Sequence, residues 1–168
     1  MNANEVIADS RVAHVRELKA EIARLRGRLA EATDELAEWH AHFDLAVLAA
    51  ADAARVPPDG RIVIVDGYNL VFNEYRHDRD ALLRAAAGVE ADFVWVVFDG
   101  PRESAEVDGR VRVSYTGGTG AHRADRLVID YVRMLRRGGD SHEVVVVTGD
   151  RDFRKAVEKE GATCRDRL

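Results

Sequence analysis

Three apolar runs in this chain end in aspartate. They are R-I-V-I-V-D-G from Arg61, V-W-V-V-F-D-G from Val94 and V-V-V-V-T-G-D from Val144, closing on Asp66, Asp99 and Asp150. A fourth acid, Asp125, opens a helical stretch behind a glycine-rich one. Carboxylates brought within a few ångströms of one another repel, and each raises its neighbours' pKa unless a cation neutralises them. Hard oxygen donors with few histidines select Mg²⁺ or Mn²⁺ over zinc, and such ions keep several waters and clamp phosphate oxygens. Together the four acids point to metal-assisted attack of water on a phosphodiester. An aspartate after a strand is commonly only a turn former or helix cap. The signal is its recurrence in four segments.

The elements around these acids must bring them to one place. Ile62–Val65, Val94–Phe98 and Val144–Val147 are β-branched or apolar without helical period, as strands buried on both faces of a parallel sheet are. Acids where such strands meet their loops lie at the carboxyl edge, where open α/β sheets bind ligands. Val111–Tyr115 alternates apolar and polar and predicts an edge strand with one wet face. Asp80–Gly88 predicts a short helix, and Gly161–Cys164 a last short strand. A helix after His122 carries Leu127, Val128, Tyr131, Val132 and Leu135 on its inner face, and another runs from Asp152 through Lys159. Alternating strands and helices imply an α/β fold, a parallel sheet with helices on both faces.

Other residues near the strand ends have two readings each. Asp152 is a fifth ligand or the first-turn acid of its helix. Thr148 orients a bound water or is a strand-end hydroxyl. His122 contacts a phosphate or the helix start. Gly117-Gly118-Thr119-Gly120 could cradle a phosphate but lacks the Lys-Ser/Thr of a P-loop, so a flexible turn is expected. Arg76, Arg79, Arg102, Arg123, Arg126, Arg151, Arg154 and Lys155 lie within a few residues of strand ends and could hold phosphates. Tyr68 is placed where an aromatic could stack on an unpaired base.

A net charge of −5 argues against a protein held to nucleic acid by bulk charge, so phosphate binding must be local. One cysteine, Cys164, excludes an internal disulfide and a thiolate-rich zinc site. The first stretch carries Glu5, Asp9 and Arg11 with no apolar core of a signal peptide, and no apolar run approaches the ~20 residues of a membrane span. A cytoplasmic protein, with no membrane, is expected.

Val15, Leu18, Ile22, Leu25, Leu29, Ala32, Leu36, Trp39 and Phe43 recur at alternating spacings of three and four among mostly charged residues. That is the seam of a coiled coil kept for roughly four heptads, and self-association, as a homodimer or higher oligomer, is expected. A parallel pair would set Glu21 against Arg26, and Gly27 inside the seam marks a place to bend. Pro57-Pro58-Asp59-Gly60 ends the helix. The expected organisation is a coiled-coil helix over 1–56, a linker at 57–60 and one α/β domain over 61–168.

V-D-G-Y-N-L at Val65, V-V-F-D-G at Val96, A-D-R-L-V-I-D-Y-V at Ala124 and V-V-T-G-D-R-D-F at Val146 resemble the NYN family of PIN-like nucleases, closest to its YacP-like branch. The likeness covers most of Arg61 to Cys164, and the coiled coil lies outside it. It implies a Rossmann-like PIN sheet, Mg²⁺ or Mn²⁺ held by acidic residues, and RNA cleavage. By motif it assigns Asp66, Asp99, Asp125 and Asp150 to the metal. Asn69 becomes the motif's second Asn, positioning phosphate or metal-bound water, and Asp152 the trailing acid of a D-x-D. Asp66-Gly67 stands where the name motif has its first Asn, and the last sheet-edge segment is expected to be short or missing.

The expected function is a metal-dependent endoribonuclease acting on unpaired RNA, with Tyr68, Thr148, Arg123, Arg126 and Arg151 contacting substrate. The rival is a non-catalytic RNA-binding or adaptor module whose coil recruits a partner. A haloacid-dehalogenase-type phosphatase needs a second acid two residues after Asp66, and Tyr68 stands there.

Overall fold

A computed structural model describes residues 3–100, 103–108, 110–117, 122–139 and 141–168. The expectations at Arg102, at residues 118–121 and at the side chains of Trp39 and Phe43 lie outside the described residues. By internal contact the chain divides into two units after Trp39.

The first element, α1 (Ala3–Ala53), runs unbroken through Gly27. In the first unit Val15, Leu18, Ile22, Leu25, Leu29 and Leu36 are 48–68% exposed on the single chain. Glu21 accepts from Arg24 of its own helix at 2.8 Å. The end of α1 belongs to the second unit, where Ala49 is fully buried in the sheet core. Val56, just beyond it, is buried there too.

The second unit is built on β1 (Arg61–Asp66), α2 (Gly67–Asn73), α3 (Arg79–Ala87), β2 (Phe93–Phe98), β3 (Glu103–Asp108), β4 (Val111–Thr116), α4 (Arg123–Arg137), β5 (Glu143–Val147), α5 (Arg151–Lys159) and β6 (Thr163–Arg165). Among the described residues the sheet order is β3-β4-β2-β1-β5-β6, with all but β3 parallel. The Rossmann-like α/β expectation holds. Alternation along β1 sends Ile62 and Ile64 to the α4 and α5 face and Val63 and Val65 to the α2 and α3 face. Each fully buried side chain of this kind contributes about 1.5–3 kcal/mol.

Three elements differ from the sequence expectation. Val111–Thr116 is an interior strand rather than an edge, because β3 pairs with it antiparallel from Glu103↔Thr116 to Asp108↔Val111. Its polar positions are therefore buried, and Ser114 accepts from the Trp95 indole at 2.9 Å. Secondly, α2 starts directly after Asp66, where a loop was expected. The cap of α3 is Asp78, accepting from the Ala81 N–H at 2.9 Å, so the helix starts at Arg79, one residue before the expected Asp80.

Candidate active site

Strand order places β1 between β2 and β5, and the helices after β1 and β5 cover opposite faces. The carboxyl ends of β1 and β5 thus flank a switch point of the sheet, the place where such folds leave a crevice. Asp66 ends β1, and Asp150 follows β5 by three residues. Register sets Asp66 against Val97 of β2, so Asp99 leaves the sheet at the same rim.

Each acid is fixed by a helix start. Asp66 caps α2, Oδ1 accepting from the Asn69 N–H at 3.3 Å. Asp150 caps α5, Oδ1 accepting from the Asp152 N–H at 2.8 Å and the Phe153 N–H at 3.0 Å. Asp99 Oδ1 accepts from the Ala124 N–H in the first turn of α4 at 2.8 Å and from the Thr116 hydroxyl at 3.2 Å. Asp125 sits in that same turn, its Oδ2 3.0 Å from His122 Nδ1. The capping and functional readings of these acids are therefore compatible. The bonds of Asp99 and Asp150 engage Oδ1 and leave Oδ2 out of them.

Thr148 joins two of the segments. It is fully buried, donates to Asp66 Oδ2 at 2.8 Å and accepts from the Asp150 N–H at 3.0 Å. Asn69 Oδ1 accepts from the Gly149 N–H at 2.8 Å, a second tie between the β1 and β5 ends. Both side chains expected at substrate or water are thus engaged in holding the rim together.

Burial pushes the Asp66 carboxyl up to about 6, with the Asp125 and Asp150 charges adding to the rise and the Thr148 hydroxyl and Asn69 N–H opposing it. Burial also raises Asp125, with Asp150 and Asp99 contributing and His122 opposing. The Asp66 carboxyl thus feels Asp125 and Asp150, and the Asp125 carboxyl feels Asp150 and Asp99. Among the described residues no three His, Cys, Asp or Glu side chains close into a ready-made ligand set. Carboxylate oxygens at the carboxyl edge of the sheet are the donor type that a hard divalent cation takes.

Two expected site residues, Arg123 and Asp152, make contacts of another kind. Arg123 is only 5% exposed and donates to the Thr116 carbonyl at 3.1 Å, stapling the start of α4 to the end of β4. In this structure the group is buried and held by that bond, where an exposed phosphate contact was expected. Asp152 has a side chain 95% exposed and pairs with Lys155 at 3.3 Å. Arg126, Arg151 and Tyr68 are exposed beside the acids' helices. An open groove of about 790 Å³ adjoins the rim, lined by Asn69, Asn73, Glu74, Gly149, Asp166 and Arg167.

Phe72, in the short helix α2, is a further exposed aromatic beside the rim. It lies one helical turn beyond Tyr68, with ring centroids 5.7 Å apart. Two aromatics at i and i+4 after a strand-end acid are the sequence signal that could have found it. Gly67 lets this helix approach the sheet, since a Cβ there would stand 2.4 Å from the Phe98 ring.

A family model described as YacP-like NYN domain matches residues 63–166. No curated protein matches the chain. No solved structure matches it either. Among the described residues no helix is long and apolar enough to cross a membrane.

Proposed function

The chain belongs to the YacP-like NYN domain family, and from that premise we propose that it is a metal-dependent endoribonuclease working at the rim formed by Asp66, Asp99, Asp125 and Asp150. The family is nuclease-like and PIN-like, with RNA as its substrate. The observation that carries the finer reading is that the Asp66 carboxyl, at a switch point of the sheet, is raised by burial and by both Asp125 and Asp150. Such a site is short of positive charge.

Asp66, Asp99, Asp125 and Asp150 would hold Mg²⁺ or Mn²⁺. When bound, the ion supplies the positive charge that polarises a scissile phosphate and makes a coordinated water acidic. Thr148 fixes the orientation of the Asp66 carboxylate, and Asn69 keeps the β5–α5 loop beside it. Exposed Arg126 and Arg151, in the first turns of α4 and α5, hold substrate phosphates by charge-assisted hydrogen bonds. Tyr68 offers its ring to an unpaired base.

The half-exposed seam of α1 supports a homodimer or higher oligomer through this helix. Two rims on one RNA raise avidity in a chain whose net charge of −5 gives it no broad positive field. The lone cysteine suits a cytoplasmic setting.

The test is cleavage of an unstructured RNA by purified protein with Mn²⁺, with EDTA, and by Asp150→Asn. Asparagine caps a helix as aspartate does, so the variant should fold. Cleavage that requires the metal and falls at least 100-fold in the variant supports the reading. Metal-dependent cleavage that survives the substitution contradicts it.

A further inference from the structure

Beside the acid rim, α2 carries large apolar rings in solvent. Phe72 is 55% exposed and Tyr68 39%, and the two rings stack at 5.7 Å with an interplanar angle of 27°. Tyr68 in turn meets the buried Phe98 ring edge-on at 5.2 Å, which anchors it to the sheet. His77 presents its ring edge-on to Phe72 at 4.9 Å.

That last contact is held by an unusual loop. Arg76 and His77 are consecutive non-glycine residues with left-handed backbone, φ 50° and 69°. Such conformations persist where the surroundings over-determine them. The His77 N–H donates to the Val71 carbonyl at 2.9 Å, and the Asp78 N–H to the Tyr75 carbonyl at 2.8 Å. The loop thus keeps His77 against Phe72, and exposed Arg76 precedes it in the chain.

We propose that Tyr68 and Phe72 form a base-stacking platform that makes unpaired RNA, rather than duplex, the substrate of the neighbouring acid rim. This rests on the nuclease reading only for what happens at the acids; the platform itself is a binding surface. Three observations choose RNA as its occupant. Exposed stacked rings take the faces of any unpaired base, whereas a paired base keeps its faces inside the helix. Arg76 supplies cationic charge for the phosphates between such bases. The platform is also continuous with the rim, because Tyr68 and Phe72 lie in the helix that Asp66 caps.

Geometry gives the platform a footprint. A base inserted between the rings would need about twice 3.4 Å, more than the 5.7 Å available, so bases lie over the pair. Phe72 is six residues from Asp66, about 9 Å along a helix. That is the rise of two to three stacked bases at about 3.4 Å each. The platform therefore serves nucleotides two to three positions to one side of the cut.

The test is equilibrium binding in EDTA, where no cleavage occurs, by fluorescence anisotropy of a labelled twelve-nucleotide oligoadenylate and of a duplex of equal length. Full-length wild type, Phe72→Ala and Phe72→Trp are compared, with sedimentation of each. Phe72→Ala should weaken oligoadenylate binding about tenfold or more, Phe72→Trp should retain it, and duplex binding should be weaker and unchanged between variants. Equal affinity of Phe72→Ala and wild type for the oligoadenylate, or no binding by the wild type, overturns the proposal. A fall in assembled mass with unchanged RNA affinity overturns it too, and makes the surface a protein contact. Because metal is absent, failure of the nuclease reading shows separately, as lack of cleavage once Mn²⁺ is added.

Discussion

The Asn69 side-chain carbonyl accepts a 2.8 Å hydrogen bond from the Gly149 N–H, fastening the start of α2 to the loop that carries Asp150. Eighty residues of sequence separate the two partners. A Cβ at position 149 would lie 2.9 Å from the same oxygen, so a side chain there would displace the Asn69 amide.

Breaking this tie from either side should have the same result. Asn69→Ala removes the acceptor and Gly149→Ala pushes it aside, and each should cost about 1 kcal/mol of stability. RNA cleavage should fall 10- to 100-fold, mainly in kcat, since the acids would be less well placed. The double variant should lose little more than either single one. Additive losses in steady-state kinetics would show that the two residues act separately.

Much of this arrangement was legible because strong local signals coincide with it. β1, β2 and β5 are apolar runs with no helical period, and they pair parallel with their carboxyl ends on one edge of the sheet. The inner face of α4 was equally plain, Leu127, Val128, Tyr131, Val132 and Leu135 all being buried. By contrast α2 spans only Gly67–Asn73, too short to display a period, and its cap is the very aspartate that reads as a site residue. The segment Glu103–Asp108, E-S-A-E-V-D, has no apolar alternation, and only its partner β4 makes it a strand. Nothing local distinguishes Arg123 from exposed Arg126 three residues later. Its burial follows from the packing of α4 against β4.

Asp66 gives a pH dependence with a definite sign. Its folded carboxyl titrates at about 6 against an ordinary 3.8, so between those values the folded protein keeps a proton the unfolded chain has released. Stability from this group is complete below about pH 4 and is lost as pH rises through 6. In EDTA, Asp66→Asn should raise Tm by several degrees at pH 7, corresponding to about 1–3 kcal/mol, and narrow the gap at pH 4. Thermal melts across pH 4–8 read this directly. A variant less stable than wild type at pH 7 would contradict it.

The arginines should separate by role. Arg123→Ala should lower Tm, because it removes a buried donor to the Thr116 carbonyl. Exposed Arg126→Ala and Arg151→Ala should leave Tm within a degree or two and weaken RNA binding. Each should also reduce the slope of log affinity against log salt by about 0.7 if it contacts a phosphate of a single strand. Salt titrations of binding, with melts of the same samples, separate the two classes.

The seam of α1 predicts self-association that depends on Ile22 and Leu25, each 48% exposed on the single chain. Ile22→Lys with Leu25→Lys should reduce the sedimenting species to a monomer at micromolar concentration, because charges at seam positions cannot be buried. The second unit should stay folded by circular dichroism. An unchanged mass would place the contact elsewhere.

The most direct measurement is anomalous diffraction from crystals soaked in Mn²⁺. The account expects an ion at the carboxyl ends of β1 and β5, bound at about 2.1 Å by oxygens from at least two of Asp66, Asp99, Asp125 and Asp150. It expects that peak to vanish in Asp66→Asn/Asp150→Asn crystals. Manganese bound only elsewhere, or a rim peak that persists in the double variant, would contradict the claim that these aspartates form a metal centre.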